Sequence, residues 1–348
     1  MEVFITHKSA LQYWRVNHLD RKMLDRRQRS RKPPAMPPKA SVLPKEKISG
    51  LSLPLDVTVS AVDSRRPTQI FRPHVFAGVM PDRCLVNIDN ELLVASPEFC
   101  FFQMANEIPL VKLIELGYEL CGSYSLPAFG TADEDFAVEA VESADEDLVA
   151  EAADEDFTAK AADKDTAFNV EPLTRKKRLE AFVSQMTGKH GRKRAARALR
   201  YIADGSASPM ETILAILLVL PNNLGGYGFP LPEMNRKIES KPTTSGYLGK
   251  QFYKCDLFWK GSAVAAEYDS DLYHSGFEKI SDDSIRKIDL SLSGINVVTV
   301  TNKQIHSIEE FDKVARTIAS KMGRRIQIRN SEFAAERHKL RSFLFNRI

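Results

Sequence analysis

Phe252-Tyr-Lys-Cys-Asp256-Leu-Phe-Trp-Lys260-Gly261-Ser-Ala-Val-Ala-Ala-Glu267-Tyr-Asp269 is the stretch on which the fold turns. Aromatic and aliphatic residues fill both halves, and Lys260-Gly261 stands between them as a tight turn, so it reads as two antiparallel strands. With that turn central, residue numbers summing to about 521 face each other across the pair. Lys254 then lies opposite Glu267, and Asp256 shares the face of Lys254. Asp256 and Glu267 become diagonal neighbours roughly 7–8 Å apart. Asp269 follows on the face of Glu267. The apolar run Ala263, Val264, Ala265, Ala266 marks the second strand as buried, and an acid at the end of a buried strand needs a partner. Carboxylates held close raise one another's pKa. A divalent ion relieves this, and Mg²⁺ (or Mn²⁺) takes one or two carboxylates plus waters and a phosphate. The competing reading is a solvated hairpin face carrying acids for solubility.

The flanking sequence supplies the rest of an α/β unit. Ser208-Pro-Met-Glu211 is a helix start, with an N-cap, a proline at the first helical position and an early acid, and the apolar run through Leu220 continues it. Glu233–Ile238 reads as a strand. After the hairpin come a helix over Asp282–Leu292 carrying Arg286 and Lys287, a strand over Ile295–Val300, and a helix over Ile308–Met322 opened by a Ser307/Glu310 capping box.

Upstream, residues 51–126 read as a small α/β region. Strands are expected at Leu55–Val62, Ile70–Phe71, Val86–Ile88 and Leu92–Ala95, with a helix capped by Ser96 and Pro97. Residues 1–50 read as a poorly ordered basic arm, dense in Arg and Lys from Arg21 to Lys32 and broken by Pro33, Pro34, Pro37 and Pro38, with a short helix somewhere in residues 8–28. Ala132-Asp-Glu-Asp135 recurs at Ala144–Asp147 and Ala153–Asp156, and decayed at Ala162–Asp165. Residues 131–168 are therefore expected to be a disordered acidic insertion, either solvated or occupying a basic groove as a DNA mimic.

That segment carries −12 of a chain total of +3, so the remainder carries +15. A surplus of this sign attracts polyanions, DNA first among them. It is densest in the helical segment 172–204, where Lys193, Arg197 and Arg200 fall on one helical face able to track phosphates. The four cysteines, Cys84, Cys100, Cys121 and Cys255, lack zinc-finger spacing and read as free thiols. The longest apolar run, Ile213–Leu220, is too short to span a bilayer, and the N-terminus lacks the order of a signal peptide, so no membrane is expected and the expected location is cytoplasmic.

These motifs resemble the PD-(D/E)xK nuclease superfamily, and more closely its very-short-patch-repair-like branch, which includes a bacterial domain associated with abortive-infection antitoxin-like regulators. The resemblance rests on Ser208–Glu211, Cys255–Trp259, Ala266–His274, Asp283–Arg286 and Gly294–Thr301, and covers residues 208–329. It implies a core of helix, mixed sheet with a β-hairpin, helix, strand and helix. It further implies catalytic positions at Glu211, Asp256, Glu267 and His274, a metal on Asp256 and Glu267, and a phosphate contact or supporting role for Arg286; Asp269 joins the catalytic candidates as the third carboxylate on the hairpin face. Asp269 stands where the superfamily places a lysine. The resemblance thus carries two functions, a metal-dependent DNA endonuclease and a non-catalytic DNA-binding regulator with a protein partner of toxin–antitoxin type. His274, in Leu-Tyr-His-Ser-Gly, reads either as a group that positions water or protonates a leaving oxygen, or as a structural histidine.

Overall fold

The computed structural model describes residues 2–17, 21–44, 46–89, 92–128, 166–239, 252–269, 286, 288–328 and 331–345. The acidic repeat, apart from its last residues, and His274 lie outside them. The chain is mixed α/β and divides into two compact units, one built on Met1–Ile108 and the other on Pro109–Tyr124 and Phe168–Phe345.

The first unit is a five-stranded sheet, and its middle strand is β1, Val3–Ile5. On one side lie β2 (Leu55–Val59), antiparallel to β1, and the edge strand β3 (Phe71–Val75). On the other lie β5 (Leu92–Ala95), parallel to β1, and the edge strand β4 (Leu85–Asp89). Pro73, which has no N–H to give to a ladder, sits in an edge strand as its chemistry requires. Helix α1 (His7–Val16) follows β1, and α2 (Pro97–Met104) follows β5, with Ser96 Oγ accepting from Phe99 N–H as its cap.

The expected basic arm over residues 1–50 is therefore corrected. Tyr13 and Trp14 are 2% and 1% exposed, and Trp14 Nε1 donates to Ala95 O at 2.8 Å. The basic residues are partly consumed inside the unit. Arg27 makes a two-pronged pair with Glu98 at 2.6 and 3.1 Å, and Arg31 reaches Glu2 at 2.7 Å. Composition suggested a tail because it counts the charges and does not see their partners.

The second unit gathers the expected 172–204 and 208–329 segments into one body and adds two helices to them. Helix α3 (Leu110–Cys121) was expected with the upstream region, but it packs on α5 (Arg192–Leu199) and α6 (Pro209–Val219). Pro109 separates it from α2, splitting the single helical region expected there. Helix α4 (Lys176–Gln185) precedes α5, and α9 (Phe333–Phe345) lies beyond the expected boundary at 329. Gly226 is obligatory, since a Cβ there would meet Leu220 O at 2.1 Å.

Four strands form this unit's sheet: β6 (Glu233–Glu239), β7 (Phe252–Trp259), β8 (Val264–Asp269) and β9 (Asn296–Thr301). They lie in the order β9-β8-β7-β6, with β7 antiparallel to both neighbours and β9 parallel to β8. Beneath them pack α6 and α8 (Ile308–Lys321), the latter joined to β9 by the short helix α7 (Asn302–His306). At the expected Ser307 box only half is made: Ser307 Oγ accepts from Glu310 N–H, while Glu310 turns to Lys313 at 2.6 Å. The reciprocal box occurs instead at Thr301 and Gln304.

Candidate active site

The hairpin register fixes where the carboxylates meet. Ala263, at φ 52°, closes a short 3₁₀ turn over Lys260–Ser262, so the loop is two residues longer than expected, both on its C-terminal side. The pairs are Val264↔Trp259, Ala265↔Phe258 and Ala266↔Leu257. Each sum is two above the expected value, so Glu267 continues toward Asp256, not Lys254. The bond Tyr268 N–H to Asp256 Oδ2, at 2.9 Å, agrees with this.

A second irregularity lies on the other side of β7. The β6–β7 ladder runs Glu233↔Phe258 and Met234↔Leu257, then resumes at Arg236↔Cys255. Between them Asn235 takes a left-handed backbone, φ 51°, which non-glycine residues rarely adopt, although Asn tolerates it. Opposite the gap, the alternation of exposed and buried residues in β7 stops at Asp256, beyond which Leu257, Phe258 and Trp259 are all buried. The register is the same on both sides, so the left-handed backbone re-aims Asn235 alone. Here Asn235 Nδ2 turns to Glu211 Oε2 at 2.5 Å and to Gly205 O at 2.9 Å. Sequence reading missed Asn235; an Asn inside a strand was the available signal.

Glu211 is 8% exposed at the start of α6. One oxygen accepts from Ala207 N–H at 2.9 Å, and the other from Ser208 Oγ at 3.1 Å. Glu267, 9% exposed, pairs with Arg286 at 2.6 Å, and the same guanidinium donates to Lys254 O. Arg286 therefore takes the place beside Glu267 that the sequence assigned to Lys254. Asp256 bears the cost of the crowded charge and holds its proton most tightly. Burial first, then the Glu211 carboxylate and more weakly Glu267, push its carboxyl up to about 7, with Tyr268 N–H and Arg286 opposing. Burial and the neighbouring Glu267 push the Cys255 thiol up to about 12, so it stays protonated and is a poor metal ligand at neutral pH.

Glu211, Asp256, Glu267 and Arg286 are thus brought together by α6, β7, β8 and the helical turn around residue 286. Asp269 sits further along β8, half-buried and opposite Thr301. The three carboxylates do not close to within 4.8 Å of one another as a metal-ligand set. What the donors fit is a hard cation held by Asp256 and Glu267 alone, with the remaining positions left to water and phosphate, the usual habit of Mg²⁺. Away from this cluster, Lys193, Arg197 and Arg200 are all exposed on α5 and its C-cap, opposite the buried Ala195, Ala198 and Leu199.

No helix among the described residues is long and apolar enough to cross a membrane. No family model matches the chain, and no solved structure matches it. Two uncharacterized proteins of Mycobacterium tuberculosis, one from strain CDC 1551 / Oshkosh and one from strain H37Rv, are each 28% identical to it over 147 residues. That match covers 42% of this chain and 48% of theirs, so the chain spans about half the length of the curated relatives it matches.

Proposed function

We propose that the second unit is a metal-dependent DNA endonuclease with a PD-(D/E)xK-like core, hydrolysing phosphodiester bonds. The observation that carries this reading is Asp256, a carboxyl pushed up to about 7 by burial and two neighbouring acids at a ladder break. Paired acids with displaced pKa values concentrate at functional sites. Asp256 and Glu267 would hold Mg²⁺ or Mn²⁺. When bound, such an ion lowers the pKa of water and stabilises charge developing on phosphate oxygens. Tyr268 N–H orients Asp256. Glu211, fixed by Ser208, Ala207 and Asn235, maintains the negative field at the site. Arg286 holds Glu267 in place and is the cation available at the site to a phosphate. Lys193, Arg197 and Arg200 supply a sequence-independent track for the DNA backbone.

The test is cleavage of supercoiled and linear DNA with Mg²⁺, Mn²⁺ or EDTA, by wild type, Glu267→Ala and Asp256→Ala. Metal-dependent nicking is expected, falling by about 10²–10³-fold or more in either variant, the scale seen when one preorganised charge-stabilising group is removed.

A second reading is a DNA-binding regulator of the antitoxin-like type, acting with a protein partner and without catalysis. It is favoured by the 2.6 Å pair between Arg286 and Glu267, which already neutralises one ligand, and by Asp269 at the position of the superfamily lysine. Under that reading no condition gives cleavage, and both variants bind DNA as wild type does.

A further inference from the structure

A second constellation lies in the first unit, which the proposed nuclease chemistry does not use. His7 opens α1 directly after the middle strand, His74 lies on β3, and Glu107 lies in the turn after α2. The two imidazoles stack with centroids 3.7 Å apart and 17° between planes. Glu107 Oε1 is 3.7 Å from His7 Nε2 and 3.8 Å from His74 Nδ1. One ligand atom from each residue falls within 4.8 Å of the other two. Those separations are too long for hydrogen bonds. They are a few tenths of an ångström wider than the roughly 3.3 Å between ligand atoms around a tetrahedral ion with bonds of about 2.0–2.1 Å.

The outer groups point the lone pairs inward. His74 Nε2 lies 2.8 Å from Asp56 Oδ1, a buried carboxylate that can only accept, so Nε2 carries the proton and Nδ1 faces Glu107 as an acceptor. Ser9 holds that carboxylate's other oxygen through its backbone N–H and its hydroxyl, at 3.2 and 3.3 Å. His7 Nδ1 lies 3.0 Å from Thr6 Oγ1, a hydroxyl able to accept its proton and itself accepting from Thr58 Oγ1, and Nε2 is the ring nitrogen directed at Glu107. A metal-binding histidine whose far nitrogen is tied to a carboxylate or hydroxyl is the recurrent outer arrangement of such centres. The His7 backbone takes φ 50° and donates its N–H to Gln103 Oε1 at 3.2 Å, so the ring is fixed from behind.

The nearby cations are modest: Arg72 reaches Asp56 only at 3.9 Å with half its side chain in solvent, and Lys8 acts on Glu107 more weakly still. Side chains of His7, His74 and Glu107 are 14%, 24% and 34% exposed, so an ion can enter from solvent.

We propose that His7, His74 and Glu107 form a binding site for a divalent transition-metal ion of the zinc class, with Asp56 and Thr6 as orienting partners and the fourth position open to water or a small ligand. Two imidazoles and one carboxylate match the preference of such ions for nitrogen donors and distinguish the site from the all-carboxylate cluster of the second unit. This inference does not depend on the nuclease reading.

The test is titration of the full chain with Zn²⁺ against a competing chelator, together with the visible spectrum of a Co²⁺ complex. Wild type is expected to bind one equivalent that is lost, or weakened at least about 100-fold, in His74→Ala and in Glu107→Gln, while Asp56→Asn weakens it about 10–100-fold, the range for outer-shell partners. Glu107 is exposed enough for its variant to fold, and melting in EDTA verifies this for all three. Loss of one equivalent identifies this site even if ions also bind elsewhere. A folded wild type that binds no Zn²⁺, or binds it equally well in His74→Ala and Glu107→Gln, overturns the proposal and leaves the two rings as a packed neutral pair.

Discussion

The two ionisable clusters of this protein solve opposite problems. In the second unit, Glu211, Asp256 and Glu267 each receive at least one donor from the protein: a helix cap, the Tyr268 backbone N–H, and the Arg286 guanidinium. The repulsion left over falls on Asp256, which keeps its proton to about pH 7. In the first unit, the outer nitrogens of His7 and His74 are tied to Thr6 and Asp56, and the inner nitrogens face Glu107. A cluster whose acids are already satisfied has room for a loosely held, hydrated cation. A cluster whose lone pairs converge favours a tightly ligated one. Counting titratable residues would have called them alike; following each proton separates them.

The largest effect that would break this comparison concerns the platform of the imidazole pair. Trp14→Ala should cost about 3–5 kcal/mol of stability in denaturant unfolding, the usual loss for a large buried aromatic. A loss below about 1 kcal/mol would return residues 1–50 to the status of a loose arm.

The second effect is one of sign, in protein freed of metal. The Asp256 carboxyl titrates from 3.8 to about 7 on folding, so its stabilisation is complete below about pH 4 and lost as pH rises through about 7. The His7 ring is lowered from 6.5, so its contribution is complete above that value and lost as pH falls through the folded pKa. Thermal unfolding across pH should therefore show Asp256→Asn flattening the rise toward acid, and His7→Asn flattening the fall. Asn is chosen at position 7 because it accepts the φ of 50°. If both variants bend the profile the same way, the contrast between the clusters is wrong.

The smallest effect sharpens the role of the basic face. Replacing Lys193, Arg197 and Arg200 singly with Gln should reduce the salt slope of DNA binding by roughly 1 each, without changing sequence preference. Unchanged slopes would make that face merely solvated.

The local chemistry of the chain was legible where a short-range rule governs it. Ser96 and Ser208 cap their helices, and Leu92–Ala95 and Glu233–Glu239 pair as strands, because caps and alternation are written within a few residues. The hairpin register slipped by two because Ala263 takes a left-handed backbone that no rule assigns to alanine. The slip is an even number, so the alternation of β8 was preserved even though the partner of Glu267 changed from Lys254 to Asp256. Asn235, which reaches Glu211 from 24 residues away, was beyond local reading, and Arg286, which reaches Glu267 from 19, was named through the resemblance alone. The imidazole pair was illegible for the same reason, since His7 and His74 are joined only by the sheet, and neither carries a spacing motif. Basic density misled where Arg27 and Arg31 are tied down by acids distant in sequence.

The position of β1 has a consequence for how the protein is made. Val3–Ile5 is synthesised well before its parallel neighbour, which begins at Leu92. At translation rates of about 5–20 residues per second, the strand waits roughly 5–20 s for that partner. During that interval only Leu55–Val59 is there to shield it, and an apolar strand with an open edge invites mispairing. Without β1, β3–β2 and β5–β4 would be two ribbons with no strand to join them.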